Sequence, residues 1–161
     1  MGMFSIRPTT EEDHDLITAF MVELWGAEIV VSRGVVYKPA VLPGFIAIQS
    51  EVPVGLLTYH IDGTDCEIVT LNSLRKELGI GSALIDAACQ VAVEADCDRV
   101  WFITTNDNLN MLGFSQRRGF ELVAVHRGAI AESRKLKPQI PLIGANDIPI
   151  RDEIELELLL S

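Results

Sequence analysis

Basic residues are in short supply: 13 Lys and Arg face 23 Asp and Glu, for a net charge of −10. Nucleic-acid surfaces neutralise phosphates with Lys and Arg, so this balance argues against DNA or RNA as a partner. A cationic amine fits it better. No apolar run approaches the ~20 residues needed to cross a bilayer. The start, Met1 to Pro8, also lacks a charged stretch followed by an apolar signal core. A cytoplasmic protein with no membrane partner is therefore expected. The three cysteines, Cys66, Cys89 and Cys97, show neither C-x-x-C nor zinc-ligand spacing, which points to reduced structural thiols and no metal. Two nucleotide signatures are missing as well. There is no G-x-x-x-x-G-K-[ST], and the third glycine of G-x-G-x-x-G would fall at Leu84.

What is present suffices for one core. At 161 residues and 48% hydrophobic, the chain is expected to form a single domain over residues 1–161. Phe4 to Arg7 reads as a short strand, and Thr9 and Glu12 have the spacing of a capping box before a helix buried through Leu16, Ile17, Phe20 and Leu24. That helix is expected to end near Trp25 and Gly26. Residues 27–43 mix β-branched residues with Gly and Pro and read as a loop or short helix. Gly44 to Ser50, Val54 to Ile61 and Cys66 to Ser73 read as an antiparallel meander.

After the third of these strands comes R75-K-E-L-G-I-G-S82, the most informative stretch of the chain. Ile80, Leu84, Ala88, Val91 and Ala95 then recur at helical spacing. A strand, a glycine-bearing turn and a helix N-terminus gather unpaired N–H groups and the positive end of a helix dipole at one point, which suits a phosphate. Gly79 and Gly81 would let it approach the main chain, and Ser82 adds a donor. On its own, such a glycine pair fits an ordinary tight turn better than a phosphate site.

Arg99 to Thr105 is nearly all apolar and reads as a buried strand, parallel to the Cys66 strand. Asn106 or Asp107 is placed to cap the next helix, which would end at Gly119. Phe120 to Arg127 reads as a strand, and residues 128–150 are too long for an idle connection, with a short helix expected around Ile130 to Leu136. Ile154, Leu156, Leu158 and Leu160 alternate with Glu153, Glu155 and Glu157 as in a half-buried strand, expected to pair with the Phe120 strand. Six of the basic residues, Arg117, Arg118, Arg127, Arg134, Lys135 and Lys137, lie close together in sequence. They read either as a solvated face or as contacts to a cofactor phosphate.

The run K76-E-L-G79-I-G81 resembles motif A of the GCN5-related N-acetyltransferases, Gln/Arg-x-x-Gly-x-Gly/Ala. Downstream, N108-L-N-M-L-G-F114-S115 followed by G119-F120 is similar to the same family's Asn-x-x-Ala-x-x-Phe-Tyr and Gly-Phe. S32-R-G…L42-P-G-F45 and K137-P-Q-I-P-L-I-G resemble segments of a bacterial subgroup of that family. Departures are Lys76 for Gln or Arg, Met111 for a small residue, and Ser115 for the tyrosine commonly used as general acid.

The resemblance implies a mixed α/β fold, with antiparallel N-terminal strands, a splayed parallel central pair and flanking helices. It implies acetyl-CoA as the cofactor, bound through Leu71, Asn72, Ser73, Lys76, Glu77, Leu78, Gly79, Ile80, Gly81, Ser82, Asn108 and Phe114. The acceptor, a small-molecule or protein amine, would meet Trp25, Arg33 and Tyr37. Direct attack of the amine calls for a base, for which Glu67 is the candidate, with His60 and His126 weaker choices. Ser115 or Tyr59 would assist the leaving thiolate. An acyl-CoA-binding or sensing module without catalysis is the alternative implied by Ser115, and the oligomeric state is left as monomer or homodimer.

Overall fold

The computed structural model describes residues 3–75 and 78–160. Seven strands form one sheet in the order β1-β4-β5-β6-β7-β9-β8: β1 Ser5–Pro8, β4 Gly44–Gln49, β5 Val52–Asp62, β6 Asp65–Ser73, β7 Arg99–Thr105, β9 Glu153–Leu159 and β8 Glu121–His126. Two further strands, β2 Val30–Ser32 and β3 Val35–Tyr37, make a separate antiparallel hairpin. The helices are α1 His14–Trp25, α2 Ile80–Glu94, α3 Leu109–Arg117 and α4 Ala129–Leu136.

Alternation along the strands sends side chains to two cores. Leu57, Cys66 and Ile68 pack with Ile80, Leu84, Ile85 and Ala88 of α2 on one face. Leu56 and Val69 pack with Ile17 and Met21 of α1 and with Val30 on the other. Gly55 lets α2 lie close, since a Cβ there would stand 2.7 Å from Ile80 Cγ2.

Three local expectations are corrected. The helix-entry pair is Thr10 and Asp13 rather than Thr9 and Glu12: the Asp13 carboxylate accepts from the Thr10 N–H at 2.8 Å and also binds Arg7. Residues 27–43 contain the β2–β3 hairpin instead of a loop or short helix, because Arg33 and Gly34, at φ 49° and 77°, make a two-residue hairpin turn. The side chain that caps α3 belongs to Asn108, which accepts from Met111 N at 3.2 Å. Asn106 and Asp107 instead hold the 128–150 insertion. Asn106 accepts from Arg151 N and Asp152 N, and Asp107 from Ala145 N.

The parallel pair forms as expected, but only briefly. Asp65, Cys66 and Glu67 pair with Arg99, Val100 and Trp101, and beyond Glu67 the two strands part. Strand β9 fills the place on the far side of β7, between it and β8, so the C-terminal strand is interior to the sheet.

Candidate acetyl-transfer site

Where β6 leaves β7, the backbone of Ile68 to Ser73 keeps β5 on one edge and has no strand on the other. Its outward N–H and C=O groups are therefore available to a ligand. Register with β5 also slips here. Thr58 pairs with Thr70 and Tyr59 with Ile68, so Val69 is an extra residue and the strand is bulged.

The gap opens into a cavity of about 600 Å³ lined by Leu71, Asn72, Ser73, Gly79, Gly81, Ser82, Asn108 and Phe114 among others. Every described residue of the expected cofactor set lines it except Leu78 and Ile80. Lys76 and Glu77 lie outside the described residues. Ile80 is fully buried, and its side chain belongs to the core rather than to the cleft. Leu78 likewise packs against that core.

Gly79 has φ 76°, which favours glycine, and α2 starts immediately after it, with its first N–H groups at the cleft. Gly81 has another role: a Cβ there would meet Phe114 Cζ at an ordinary 3.5 Å, so the missing side chain leaves room for a ligand without being required by packing. Ser73 Oγ is buried beside the cavity with no hydrogen-bond partner among the described residues. An orphaned hydroxyl in such a place is costly unless a ligand supplies the partner.

The basic stretch resolves residue by residue. Arg117 lines the cavity, whereas Arg118 pairs with Asp86 and Lys135 with Glu132. Arg134 donates to the carbonyls of Ile140, Pro141 and Ile150. Sequence reading left out Leu109, Asn110, Met111 and Gly113 as cavity-lining residues; all fall on the first turns of α3, and helical spacing from Asn108 was the available signal.

At the apex of the gap, Glu67 is only 4% exposed. Its carboxylate accepts from Ser32 Oγ at 2.7 Å and from the Tyr37 hydroxyl at 2.9 Å. Burial pushes its pKa above the ordinary carboxylate value, and the two hydroxyl donors oppose that shift. Burial and the neighbouring carboxylate raise Tyr37 in turn, keeping its phenol protonated as the donor. Beside this pair, Glu153 is buried and receives Arg33 through Nη1 at 2.9 Å. Trp25 Nε1 donates to Asn72 Oδ1 at 3.0 Å, which ties the end of α1 to the cleft.

Thus Trp25, Arg33, Tyr37 and Glu67 gather on the α1 face of the sheet, with Ser32 and Glu153 as members the sequence reading did not include. Tyr59 packs into the opposite core and stacks on Phe45 at 6.1 Å. Ser115 has no exposed surface, and its hydroxyl donates to Met111 O at 2.6 Å. Neither is presented to the cleft, so both are set aside as acids. His60 lies 5.5 Å from Tyr37 between ring centroids, and His126 contacts Glu155 at 3.0 Å.

A sheet splayed beside a bulge, with a glycine turn and helix N-terminus at the mouth of the gap, defines an acyltransferase-type cleft. The family model described as "Acetyltransferase (GNAT) family" matches residues 6–120, and the chain belongs to that family. It is 42% identical over 154 residues to the uncharacterized protein YdhI of Bacillus subtilis (strain 168), covering 94% of this chain and 96% of the relative. YxbD of the same organism is 39% identical over the same shares. Among solved structures, the IAA acetyltransferase from Bacillus cereus ATCC 14579 superposes with a TM-score of 0.77 at 18% identity, covering 98% of this chain and 100% of that one. A GNAT family acetyltransferase from Elizabethkingia anophelis, solved with acetyl-CoA bound, gives 0.71 at 18% identity over 98% of each chain.

Proposed function

We propose that this chain transfers an acetyl group from acetyl-CoA to an amine by direct attack within a ternary complex. The observation that carries the reading is the opening of β6 from β7 at Glu67, leading past the orphaned Ser73 hydroxyl to the α2 N-terminus at Gly79 and Gly81. Relatives of the same fold have been solved with CoA or acetyl-CoA, and the residues present here fit such a ligand. Backbone groups around Leu71 and Ser73 would hold its amides, the α2 N-terminus its pyrophosphate, and Asn108 and Phe114 the wall across from them. Bound there, acetyl-CoA supplies an activated carbonyl and a thiol leaving group.

Acceptor chemistry falls to the opposite face. An amine with a pKa near 10.4 is mostly protonated at neutral pH, so Glu67 takes the proton and leaves a neutral nitrogen. Its raised pKa makes it a better base near neutrality than an exposed carboxylate. Ser32 and Tyr37 fix its orientation, and Trp25, Arg33 and Tyr37 border the approach. The main-chain bulge at Val69 offers a fixed N–H to charge developing on the carbonyl oxygen, at no reorganisation cost. Neither Ser115 nor Tyr59 is presented to the cleft to protonate the leaving sulfur; with a thiol pKa of about 8.5 it would leave as the anion and be protonated by solvent.

Burial of Ser115 favours one further reading, a module that binds the acyl-CoA without turning it over. The test is acetyl-CoA with a broad amine panel, following free thiol and acetylated amine together. Equimolar appearance of both supports transfer. Tight binding with no product from any amine supports the sensing module.

A further inference from the structure

We propose that Lys137 recognises a carboxylate on the acceptor, and that the acceptor therefore carries an acidic group several atoms away from its amine. The inference rests on the acetyl-transfer reading for the place of the amine, and on Lys137 itself for the anion. Lys137 follows the last residue of α4, where its N–H bonds Ser133 O at 2.8 Å and Pro138 bars further helix. The residue is only 6% exposed.

Its ammonium lies 5.7 Å from the centroid of the Trp25 ring, the same indole that donates to Asn72 at the cleft. Among the described residues no carboxylate or hydrogen-bond acceptor pairs with it. Lys38 and Lys135 are both ion-paired even though they are exposed and need a partner least. The stem accounts for that burial; the ammonium is not among the fully buried polar atoms without a partner, so it reaches the surface and is open to a ligand, with the Trp25 indole face contributing ~0.5–2 kcal/mol. In a chain of net charge −10, the missing partner is not for want of carboxylates.

Burial lowers the pKa of this ammonium, and a bound anion would restore it. One point charge matches a single carboxylate better than a phosphate dianion. Asn72, the partner of Trp25, stands three positions along β6 from the bulge at Val69, a run of ~10 Å at 3.3 Å per residue. An acceptor spanning that interval is about two to three residues of extended chain. Such a carboxylate is either the C-terminus of a short peptide or an acidic side chain near the N-terminus of a longer one.

The experiment is equilibrium binding to the CoA-saturated protein of three acetylated ligands: N-acetyl-trialanine as free acid, its carboxamide, and the carboxamide with Asp in the third position. The wild type is expected to bind the free acid or the Asp peptide at least tenfold more tightly than the plain carboxamide. Which of the two it prefers identifies the source of the carboxylate. Lys137→Met is expected to abolish the preference with CoA affinity unchanged, and Lys137→Arg to retain part of it. Equal wild-type affinities, no binding of either acidic ligand, or a preference that survives in Lys137→Met would overturn the assignment; the wild-type comparison decides even where a variant does not fold. Acid-selective binding without turnover of any amine leaves Lys137 in place and removes the transfer reading. Turnover indifferent to the carboxylate does the reverse.

Discussion

Glu67 combines two features that ordinarily oppose each other: it is buried from solvent, and it accepts two short hydrogen bonds. Burial dominates, so its ionisation sits above the usual carboxylate value of about 4.3. Because the folded value lies above the unfolded one, the carboxylate costs stability increasingly as pH rises from the unfolded pKa through the folded one, and little below both. For a base that must be unprotonated, the rate should follow the same ionisation. We expect kcat/KM to rise with pH along a limb placed above about 4.3, and Glu67→Gln to lower kcat by ~10²–10⁴-fold while flattening that limb. A full pH–rate profile of both proteins checks this; an unchanged limb in Glu67→Gln would assign the ionisation elsewhere. Tyr37→Phe removes one donor from Glu67 and should shift the limb further upward.

Among the elements, the join of β1 to α1 is held by a paired Arg7 and Asp13 at 2.9 Å, with Thr10 N–H on the same carboxylate. These bonds depress the Asp13 pKa to about 2. The depressed value means the stabilisation is present above the unfolded pKa of about 3.9 and is lost as pH falls through about 2. Asp13→Asn should cost ~1–3 kcal/mol at neutral pH, read by urea unfolding, and the gap to wild type should close on acidification. At the glycine turn, Gly81→Leu should leave stability unchanged or raise it by up to about 1 kcal/mol, since leucine is the better helix former and a Cβ there makes only an ordinary contact.

Elements with strict periodicity were legible in the sequence, and those set by non-local contacts were not. Strand β6, the helix from Ile80 and the strand at Arg99 all announce themselves by alternation or helical spacing. The β2–β3 hairpin was hidden because its strands are only three residues long and are followed by Pro39 and Pro43, which break regular structure; in Val-Val-Ser-Arg-Gly-Val-Val, Arg33-Gly34 was the signal for a tight hairpin. Glu153 read as the outward half of an alternating strand. Its burial depends on β9 lying inside the sheet and on Arg33 arriving from 120 residues away, neither of which local spacing encodes. For the same reason, motif position alone placed Ser115 at the cleft, although its hydroxyl is spent within its own helix.

For the whole molecule, the two sheet faces divide the work. The α2 side and the gap present backbone donors and glycines suited to a phosphorylated ligand, and the α1 side collects Glu67, Glu153 and the hairpin around the proposed acceptor approach. Net charge of −10 should draw the ammonium end of an acceptor toward the protein, including an acceptor that carries a carboxylate for Lys137 farther along. KM for a cationic amine is therefore expected to rise as ionic strength is taken from low values to about 0.5 M, where screening acts within a few ångströms; a salt-independent KM would show that only short-range contacts select the acceptor. No helix among the described residues is long and apolar enough to cross a membrane.

The most direct test of the cleft is calorimetric titration with acetyl-CoA of the wild type and of Gly81→Leu. The account predicts saturable one-to-one binding by the wild type and at least a tenfold weaker Kd in the variant, whose fold should be intact. Equal affinity in the two proteins, or no heat from the wild type at high micromolar acetyl-CoA, would contradict it and return the glycine turn to a purely structural role.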